Sequence, residues 1–334
     1  MNDISNKKIL FFSPSFFGYE SKIKEKMESL GAIVDMFDER SITKSHQKAL
    51  LKINPNIFRK KTNDYYSCLL DEIKDRNYDF VLFIKCQMAT DKVLQLYKDT
   101  FNKAKFILYL YDSKKNVKGI EKKFKYFNKV FSFDRLDCIS DSNMLFRPLF
   151  YCDDYKEKIS KNDYYKYDLC FIGTIHSDRY KILKKIKEKV DKENLNMYMY
   201  PYLQSKFVYY FYKFTKKEFK DTSIKDFKFD KISSKQISKI VSQSKIIIDI
   251  QHPEQTGLTM RTIEMVGMNK KMITTNSDIT SYDFYNNKNI QLINRNSFNI
   301  DFNLLSKEHV KIEEDILNYY SLEFWINQLL NDFC

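Results

Sequence analysis

One segment, residues 244–276 (SKIIIDIQHPEQTGLTMRTIEMVGMNKKMITTN), constrains the fold of this chain more than any other. Lys245–Ile250 is a short apolar run rich in Ile, which is typical of a buried strand. Leu258–Met268 is predicted to be a helix, and Lys271–Thr275 begins another strand. A strand, a helix and a second strand in this order predict a parallel sheet. Because such sheets bind ligands at the carboxyl ends of their strands, we expect the loop His252–Gly257 to lie at a binding edge.

The start of this helix suits a nucleoside diphosphate. A helix N-terminus offers unpaired backbone N–H groups and the positive end of the helix dipole, and both favour a phosphate. Thr256 and Thr259 add hydroxyl groups, and Gly257 allows close backbone approach. Arg261 adds a planar cation for bidentate phosphate contact, and Glu264 can accept hydrogen bonds from ribose hydroxyls. The alternative is that the polar residues are ordinary helix caps and that Glu264 is a solvated surface residue.

A second candidate phosphate contact lies earlier in this half of the chain. Asp168–Thr174 (DLCFIGT) is predicted to be a strand that ends in Gly173 and Thr174. Gly173 would let a phosphate approach the backbone, and His176 or Arg179 would neutralise its charge. The alternative for His176 is that it is simply a polar loop residue.

The first half of the chain also alternates strands and helices. Apolar runs predict strands at Lys8–Phe12, Ala32–Phe37, Asp79–Ile84, Lys105–Tyr111 and Lys129–Phe133. Helices are predicted between them, with a break near Pro55, and the G-x-G-x-x-G dinucleotide motif is absent from the sequence. The alternation predicts an α/β domain with a parallel sheet.

Polar residues follow three of these strands: Lys85, Asp112 and Asp134. The carboxyl ends of parallel strands share one edge, so a carboxylate there could take a proton from an acceptor hydroxyl. Asp112 is the candidate catalytic base. The alternative is that Asp112 and Asp134 only cap the helices that follow them.

The composition favours an anionic partner. The formal net charge is +13 over 334 residues, which suits a nucleotide, an anionic membrane surface or nucleic acid. The alternative is that the many Lys residues reflect an AT-rich genome. The six cysteines are scattered without zinc-ligand spacing, so no metal site is expected.

The same sequence favours a cytoplasmic location. It lacks a signal-peptide core and any stretch of about 20 apolar residues that could span a membrane. Residues 201–220 mix aromatic side chains with five lysines and are predicted to form a helix. Such a helix could contact the anionic inner face of a membrane, stack on single-stranded nucleic acid, or pack on its own domain.

Several motifs resemble those of known glycosyltransferases. Residues 244–276 resemble the donor-binding region of GT-B glycosyltransferases, in which Leu258, Glu264, Lys270 and Ile273 fit the recurring pattern. Two positions depart from it. Thr256 replaces an acidic residue that contacts the donor sugar in many retaining members, which leaves the stereochemical outcome open. Asn269 replaces a Gly, but Asn can also adopt a left-handed backbone.

The first half carries its own resemblance. FIK (Phe83–Lys85), YLYDS (Tyr109–Ser113), KVFSFD (Lys129–Asp134) and RPLFY (Arg147–Tyr151) look like motifs of a bacterial surface-polysaccharide glycosyltransferase family related to CgeB-type proteins. FIGT followed by HSDR at residues 171–179 is also typical of that family.

The resemblance implies a GT-B fold, with two Rossmann-like domains facing across a cleft. We expect an acceptor domain at 1–152, a nucleotide-sugar donor domain at 153–320, and a helix at 321–334 that returns to the first domain. The implied activity is transfer of a sugar from a nucleotide-sugar to a hydroxyl of a surface glycan, such as lipopolysaccharide or capsule, or of its lipid-linked precursor. No metal and no cofactor other than this co-substrate are expected.

Within that expectation, Thr259 and Arg261 hold the diphosphate with help from Gly173, Thr174 and the helix N-terminus, and Asp112 is the base if the enzyme inverts. Two alternatives stay open. One is a nucleotide-sugar epimerase on the same fold, for which we identify no extra set of carboxylates. The other is a basic nucleic-acid-binding protein. Nucleic acid is not the expected partner, because the Lys residues are spread along the whole chain and no known motif is present.

Overall fold

Two units divide the chain in a computed structural model that describes residues 4–42, 58–156 and 165–331. The first unit comprises Met1–Pro148 together with Leu322–Cys334, and the second comprises Leu149–Ser321. The break predicted near Pro55 lies outside the described residues.

The first unit is built on a parallel sheet with the strand order β2-β1-β3-β4-β5-β6. Its strands are β1 (Lys8–Ser13), β2 (Ile33–Asp38), β3 (Phe80–Ile84), β4 (Lys105–Leu110), β5 (Lys129–Ser132) and β6 (Leu145–Phe146). Its helices are α1 (Tyr19–Ser29), α2 (Arg59–Ile73), α3 (Asp91–Thr100), α4 (Arg135–Ser140) and the C-terminal α10 (Leu322–Asn331). The predicted strands are confirmed, because fully buried strands in parallel sheets read as continuous apolar runs.

Aromatic side chains fill much of the core of the first unit. The rings of Phe12 and Phe83, on the neighbouring strands β1 and β3, stack with their centroids 4.6 Å apart. Tyr97 of α3 meets Phe12 edge-on at 5.6 Å. Burying each such ring contributes roughly 1.5–3 kcal/mol to stability. Trp325 of α10 is fully buried and lies 4.8 Å from the ring of Tyr109, which confirms that the last helix returns to the first unit.

The second unit has its own parallel sheet, in the order β11-β10-β9-β7-β8. Its strands are β7 (Tyr167–Thr174), β8 (Met197–Tyr202), β9 (Ser244–Asp249), β10 (Lys271–Thr274) and β11 (Ile290–Leu292). Its helices are α5 (Arg179–Lys192), α6 (Lys206–Thr215), α7 (Ser234–Ser242), α8 (Met260–Gly267) and α9 (Glu314–Tyr319). Ile246, Ile248 and Ile273 are buried in its core.

Both sheets place their first strand between the second and the third. In the second unit, β7 pairs with β8 on one side and with β9 on the other. The chain therefore leaves β7 and β9 in opposite directions across the sheet. A ligand crevice forms at the carboxyl ends of the strands at such a reversal. In this sheet, the residues that follow Thr174 and Asp249 lie at that position.

The structure corrects two predicted helices and confirms one backbone conformation. The helix predicted over 201–220 is shorter, because Pro201 and Tyr202 belong to β8 and α6 ends at Thr215. The helix predicted to begin at Leu258 begins at Met260, because the side chain of Thr259 caps it. Asn269 has the left-handed backbone expected of it, with φ of 51°.

Within the described residues, no helix is both long and apolar enough to cross a membrane.

Candidate functional site

Two histidines lie at the strand-order reversal of the second unit. His176 follows β7 and His252 follows β9, and their ring centroids are 5.2 Å apart. Burial, helped by the positive charge of Arg179, lowers the pKa of His176 to about 3, so its ring is neutral at pH 7. Ser177, whose hydroxyl lies 3.0 Å from Nδ1 of His176, has a left-handed backbone with φ of 45°. Such conformations cost free energy and cluster at functional sites.

Arg179 lies beside these histidines. One guanidinium nitrogen, Nη1, donates a hydrogen bond of 2.6 Å to the carbonyl of Thr174 at the end of β7. Burial lowers the pKa of Arg179 to about 10, against the opposing effect of nearby Asp249, and the group stays charged at pH 7. A Cβ atom on Gly173 would lie 3.5 Å from Nη1. That distance is ordinary van der Waals contact, whereas the same Cβ would lie only 3.2 Å from the ring of Phe171. Gly173 therefore relieves packing against Phe171, and its contact with a phosphate stays a prediction.

Arg261 and Glu264 form an ion pair within α8. Nη1 of Arg261 lies 2.8 Å from a carboxylate oxygen of Glu264, whose side chain is 1% exposed. The guanidinium also lies 6.0 Å from the ring centroid of Tyr155. Glu264 is therefore a buried partner of Arg261, and the alternative of a solvated surface residue is wrong. Its contact with ribose stays a prediction.

The start of α8 is fixed by a small polar network. The hydroxyl oxygen of Thr259 accepts a hydrogen bond of 3.1 Å from the backbone N–H of Thr262, so Thr259 is the helix cap that the alternative interpretation foresaw. The Thr262 hydroxyl donates to the carboxylate of Asp249, the last residue of β9, at 2.6 Å, and that of Thr259 donates to it at 3.3 Å. The buried carboxylate thus ties the helix start to the strand end.

The loop before α8 is held from the neighbouring strand. The side-chain amide of Asn276, just after β10, donates to the backbone carbonyls of Thr256 and Gly257 at 3.0 and 3.4 Å. The two predicted residues therefore occupy a fixed position at the same edge as Arg261, although their contact with a donor stays a prediction.

Arg295 is a site residue that the sequence did not suggest. Its Nη1 lies 2.8 and 2.9 Å from the two carboxylate oxygens of Asp178, and its Nη2 donates to the carbonyl of Gln251 at 2.5 Å. Its charge also lowers the pKa of the neighbouring Arg179, after the larger effect of burial. Asp178 and Arg295 are 117 positions apart, so no local pattern could have joined them.

The second unit thus gathers Arg179, Arg261 and Arg295 at one sheet edge. In the free protein Arg261 and Arg295 form ion pairs with Glu264 and Asp178, and Arg179 donates to the carbonyl of Thr174. These contacts hold the three cations in place before any ligand binds. An edge with three guanidinium groups, a helix start and the neutral ring of His176 suits a phosphorylated ligand.

The first unit presents carboxylates at the corresponding edge. Asp112, after β4, forms an ion pair of 2.5 Å with the ammonium of Lys85, after β3, and its side chain is 39% exposed. The expectation that these strand ends meet is confirmed. Asp134, in contrast, is buried and caps α4 by accepting from the backbone N–H of Leu136 at 3.1 Å, as the alternative interpretation proposed.

Glu39 is a further acid at this edge that the sequence patterns did not single out. It follows β2, is fully buried, and accepts a hydrogen bond from the backbone N–H of Met88. Burial raises the pKa of Glu39 to about 7. Its other carboxylate oxygen has no hydrogen-bond partner in the described part of the chain. Lys85 and Cys86 nearby have left-handed backbones, with φ of 72° and 49°.

No three His, Cys, Asp or Glu side chains among the described residues are grouped so that they could hold a metal ion. The expectation that no metal takes part stays a prediction.

No protein-family model matches the sequence, and a search of curated proteins found no match. Solved structures do match over nearly the whole chain. HepE of Anabaena in complex with UDP-glucose has a TM-score of 0.59 at 10% identity, over 96% of this chain and 98% of that one. The apo form of the lipopolysaccharide outer core galactosyltransferase WaaB has a TM-score of 0.53 at 11% identity, over 96% and 98%.

A third match is to part of a protein named as a phosphatase. The N-terminal domain of trehalose-6-phosphate phosphatase from Candida albicans has a TM-score of 0.58 at 9% identity, over 98% of this chain and 96% of that one. Identities this low establish the fold alone. With its two parallel sheets and its returning C-terminal helix, the chain has the GT-B fold, the two-unit Rossmann-like architecture of glycosyltransferases such as WaaB.

Proposed function

We propose that this protein is a glycosyltransferase that moves a sugar from a nucleotide-sugar to a hydroxyl of a surface glycan, such as lipopolysaccharide or capsule, or of its lipid-linked precursor. One observation carries the proposal: three arginines and a capped helix start converge where the strand order of the second sheet reverses. That position is where parallel sheets bind nucleotides, and the cations suit a diphosphate.

The leaving group is the nucleoside diphosphate. As the bond between the sugar carbon and the phosphate oxygen breaks, the electron pair stays on that oxygen, and negative charge grows on the diphosphate. Arg179 and Arg261, with the backbone N–H groups at the start of α8, stabilise this charge, which is an electrostatic contribution to catalysis. Because the Thr174 carbonyl already holds Arg179 and the Glu264 carboxylate already holds Arg261, little reorganisation is needed during the reaction.

Asp112 is the proposed base for an inverting reaction. Its carboxylate takes the proton of the acceptor hydroxyl while the hydroxyl oxygen bonds to the sugar carbon. The ion pair with Lys85 orients the carboxylate, and the 39% exposure of the Asp112 side chain leaves it accessible to an acceptor.

Glu264 has two roles in this proposal. In the free protein it orients Arg261 through their 2.8 Å ion pair. When the donor binds, its carboxylate accepts hydrogen bonds from the ribose hydroxyls. We propose that the reaction needs neither metal nor cofactor and takes place in the cytoplasm. The similarity to WaaB, a lipopolysaccharide galactosyltransferase, and to HepE in complex with UDP-glucose supports these substrate classes.

A thermal-shift screen tests the donor site. We expect one of UDP, GDP, CMP, dTDP or ADP to raise the melting temperature, because a ligand that binds only the folded state at 100 times its Kd contributes about 2.7 kcal/mol. Arg261→Ala and Glu264→Ala should abolish that shift, with each variant compared with its own ligand-free melting temperature.

Arg76→Ala is the matched control, since Arg76 is an ion-paired arginine of the first unit, and it should keep the full shift. If no nucleotide stabilises the wild-type protein at low salt and saturating concentration, the proposed donor site is wrong. Salt-sensitive binding to an oligonucleotide in the same buffer would then favour a nucleic-acid-binding function.

A further inference from the structure

Helix α6 (Lys206–Thr215) has one side anchored in the second unit. Tyr209 is buried, its hydroxyl donates to the carbonyl of Thr222 at 2.9 Å, and its ring lies 5.4 Å from that of Phe227. Val208 and Tyr212 pack against the same core. The orientation of the helix is therefore fixed by its own contacts.

The opposite side of α6 exposes aromatic side chains to solvent. Phe207 is 80% exposed and Phe214 is 83% exposed, with Tyr210 and Phe211 about half exposed between them. These positions are spaced by three and four residues, so they form a single stripe along the helix. A contiguous exposed aromatic stripe is unusual for a soluble surface and marks an interaction site. We call these four residues the α6 stripe.

Positive charge surrounds the α6 stripe. Residues 206–231 contain eight Lys and four Asp or Glu, and α6 itself has no acidic residue. Lys213 and Lys216 donate hydrogen bonds to the carbonyls of Thr222 and Ser177. Others, such as Lys206, Lys217 and Lys220, are exposed beside the stripe. Aromatic side chains flanked by lysines are the combination that inserts into the headgroup region of anionic bilayers.

We propose that the α6 stripe docks this protein on an anionic lipid bilayer. The phenylalanines enter the interface between headgroups and acyl chains, and the exposed lysines contact the lipid phosphates. A second copy of this chain fits less well, because self-association through the stripe would bring two lysine-rich surfaces together. Single-stranded nucleic acid is normally bound in a positively charged groove, whereas the α6 stripe lies on the outer side of a helix.

The position of α6 connects this surface with the candidate donor site of the same unit. Lys216, the residue after α6, donates a 3.1 Å hydrogen bond to the carbonyl of Ser177, next to His176. A bilayer bound to the α6 stripe would therefore contact a helix that ends beside the candidate donor site. If the proposed function holds, this favours a lipid-linked acceptor, but docking itself does not depend on that function.

Vesicle co-sedimentation tests the proposal. We expect the full-length protein to bind vesicles of phosphatidylcholine mixed with phosphatidylglycerol, and to bind pure phosphatidylcholine far more weakly. The triple variant Phe207→Ser, Phe211→Ser, Phe214→Ser should lose at least about tenfold in partitioning, because these rings supply the buried apolar area. Leu136→Ser with Ile139→Ser removes exposed apolar residues of the first unit instead and should bind as the wild type does.

A fluorescence experiment locates the contact. The native chain has one tryptophan, Trp325, which is fully buried, so brominated lipids should not quench the wild-type protein. In Phe214→Trp, the new indole should shift to shorter wavelength and be quenched when anionic vesicles are added. The proposal is overturned if the wild type fails to bind anionic vesicles at low salt. It is also overturned if the triple variant binds anionic vesicles as well as the wild type does. The same holds if the wild type is a dimer and the only effect of the three substitutions is to make it a monomer.

Discussion

The two sheets share one strand order but differ in the charges at their carboxyl edges. In the first unit the edge carries Glu39 and Asp112, with Lys85 as the counter-charge of Asp112. In the second unit the edge carries Arg179, Arg261 and Arg295. The shared order sets where a ligand binds, and the side chains decide which chemistry is possible there.

The two edges also differ in how their buried groups are satisfied. In the second unit Arg261 and Arg295 are paired with carboxylates, and Arg179 donates to a backbone carbonyl. In the first unit Glu39 is buried with one oxygen unpartnered in the described part of the chain, and its pKa is raised to about 7. The second edge holds paired arginines, whereas the first edge holds, beside the Lys85–Asp112 ion pair, a buried carboxyl that changes its protonation near pH 7.

Asp112→Asn should have the largest effect, and it acts on transfer alone. Loss of a general base costs about 10²- to 10⁴-fold in rate, while nucleotide binding should stay unchanged because the arginines of the second unit are intact. Steady-state transfer assays and nucleotide titrations of the same preparation measure the two quantities. Asp71→Asn, at an exposed ion pair of the first unit, should behave as the wild type. Wild-type turnover in Asp112→Asn would remove Asp112 from the mechanism.

Glu39→Gln should change how stability depends on pH. The Glu39 carboxyl has a pKa of about 7 in the folded protein because burial raises it from 4.5. Between these values the unfolded chain has lost its proton and the folded chain keeps it, so stability falls as pH rises through this window. The wild type should lose about 3 kcal/mol of unfolding free energy between pH 4.5 and 7 through this group.

Denaturant titrations at several pH values, followed by the fluorescence of Trp325, report unfolding of the first unit because Trp325 is buried there. Glu39→Gln should remove the fall in stability between pH 4.5 and 7. The same slope in variant and wild type would mean that Glu39 is not protonated in the folded state.

Arg295→Met should weaken nucleotide binding by about 10- to 100-fold, since hydrogen-bonded charges typically contribute 1.5–3 kcal/mol. The variant removes one cation from the edge and leaves Asp178 there without the guanidinium that it binds. Asp178→Asn should instead raise the affinity for the nucleotide severalfold, because it removes a negative charge from the edge. Isothermal titration calorimetry measures the nucleotide affinity of both variants. Equal affinities would mean that the charges of Arg295 and Asp178 do not control nucleotide binding.

Between pH 7.5 and pH 5, His176→Asn should change the pH dependence of stability less than Glu39→Gln does and in the opposite direction, because less than half of the interval between the two pKa values of His176 lies in that range. Burial lowers the pKa of His176 from 6.5 to about 3, so between these values the unfolded chain holds a proton that the folded chain lacks. The unfolding free energy of the second unit therefore falls as pH drops below 6.5, and this fall should be smaller in the variant. Hydrogen exchange of the β9 amides at pH 5 and 7.5 measures it, and identical pH dependence in both proteins would contradict the neutral, buried ring.

Sequence patterns were sufficient for the sheets, because buried parallel strands are nearly continuous apolar runs such as Phe80–Ile84. They also placed Lys85 and Asp112 at one edge, where the two side chains meet. They did not reveal Arg295 or Glu39, since the contacts of these residues join distant parts of the chain. They overextended the helix at 201–220, because a run of aromatic residues suits both the end of β8 and α6.

The return of α10 to the first unit has a consequence for biosynthesis. The ribosome completes every strand of the first sheet early, yet Trp325, which packs against Tyr109, is added only after the whole second unit. The first unit must therefore wait, with an apolar surface uncovered, until the whole second unit has been synthesised. A chain released before residue 322 would contain the entire candidate donor site and still be a substrate for chaperones and proteases.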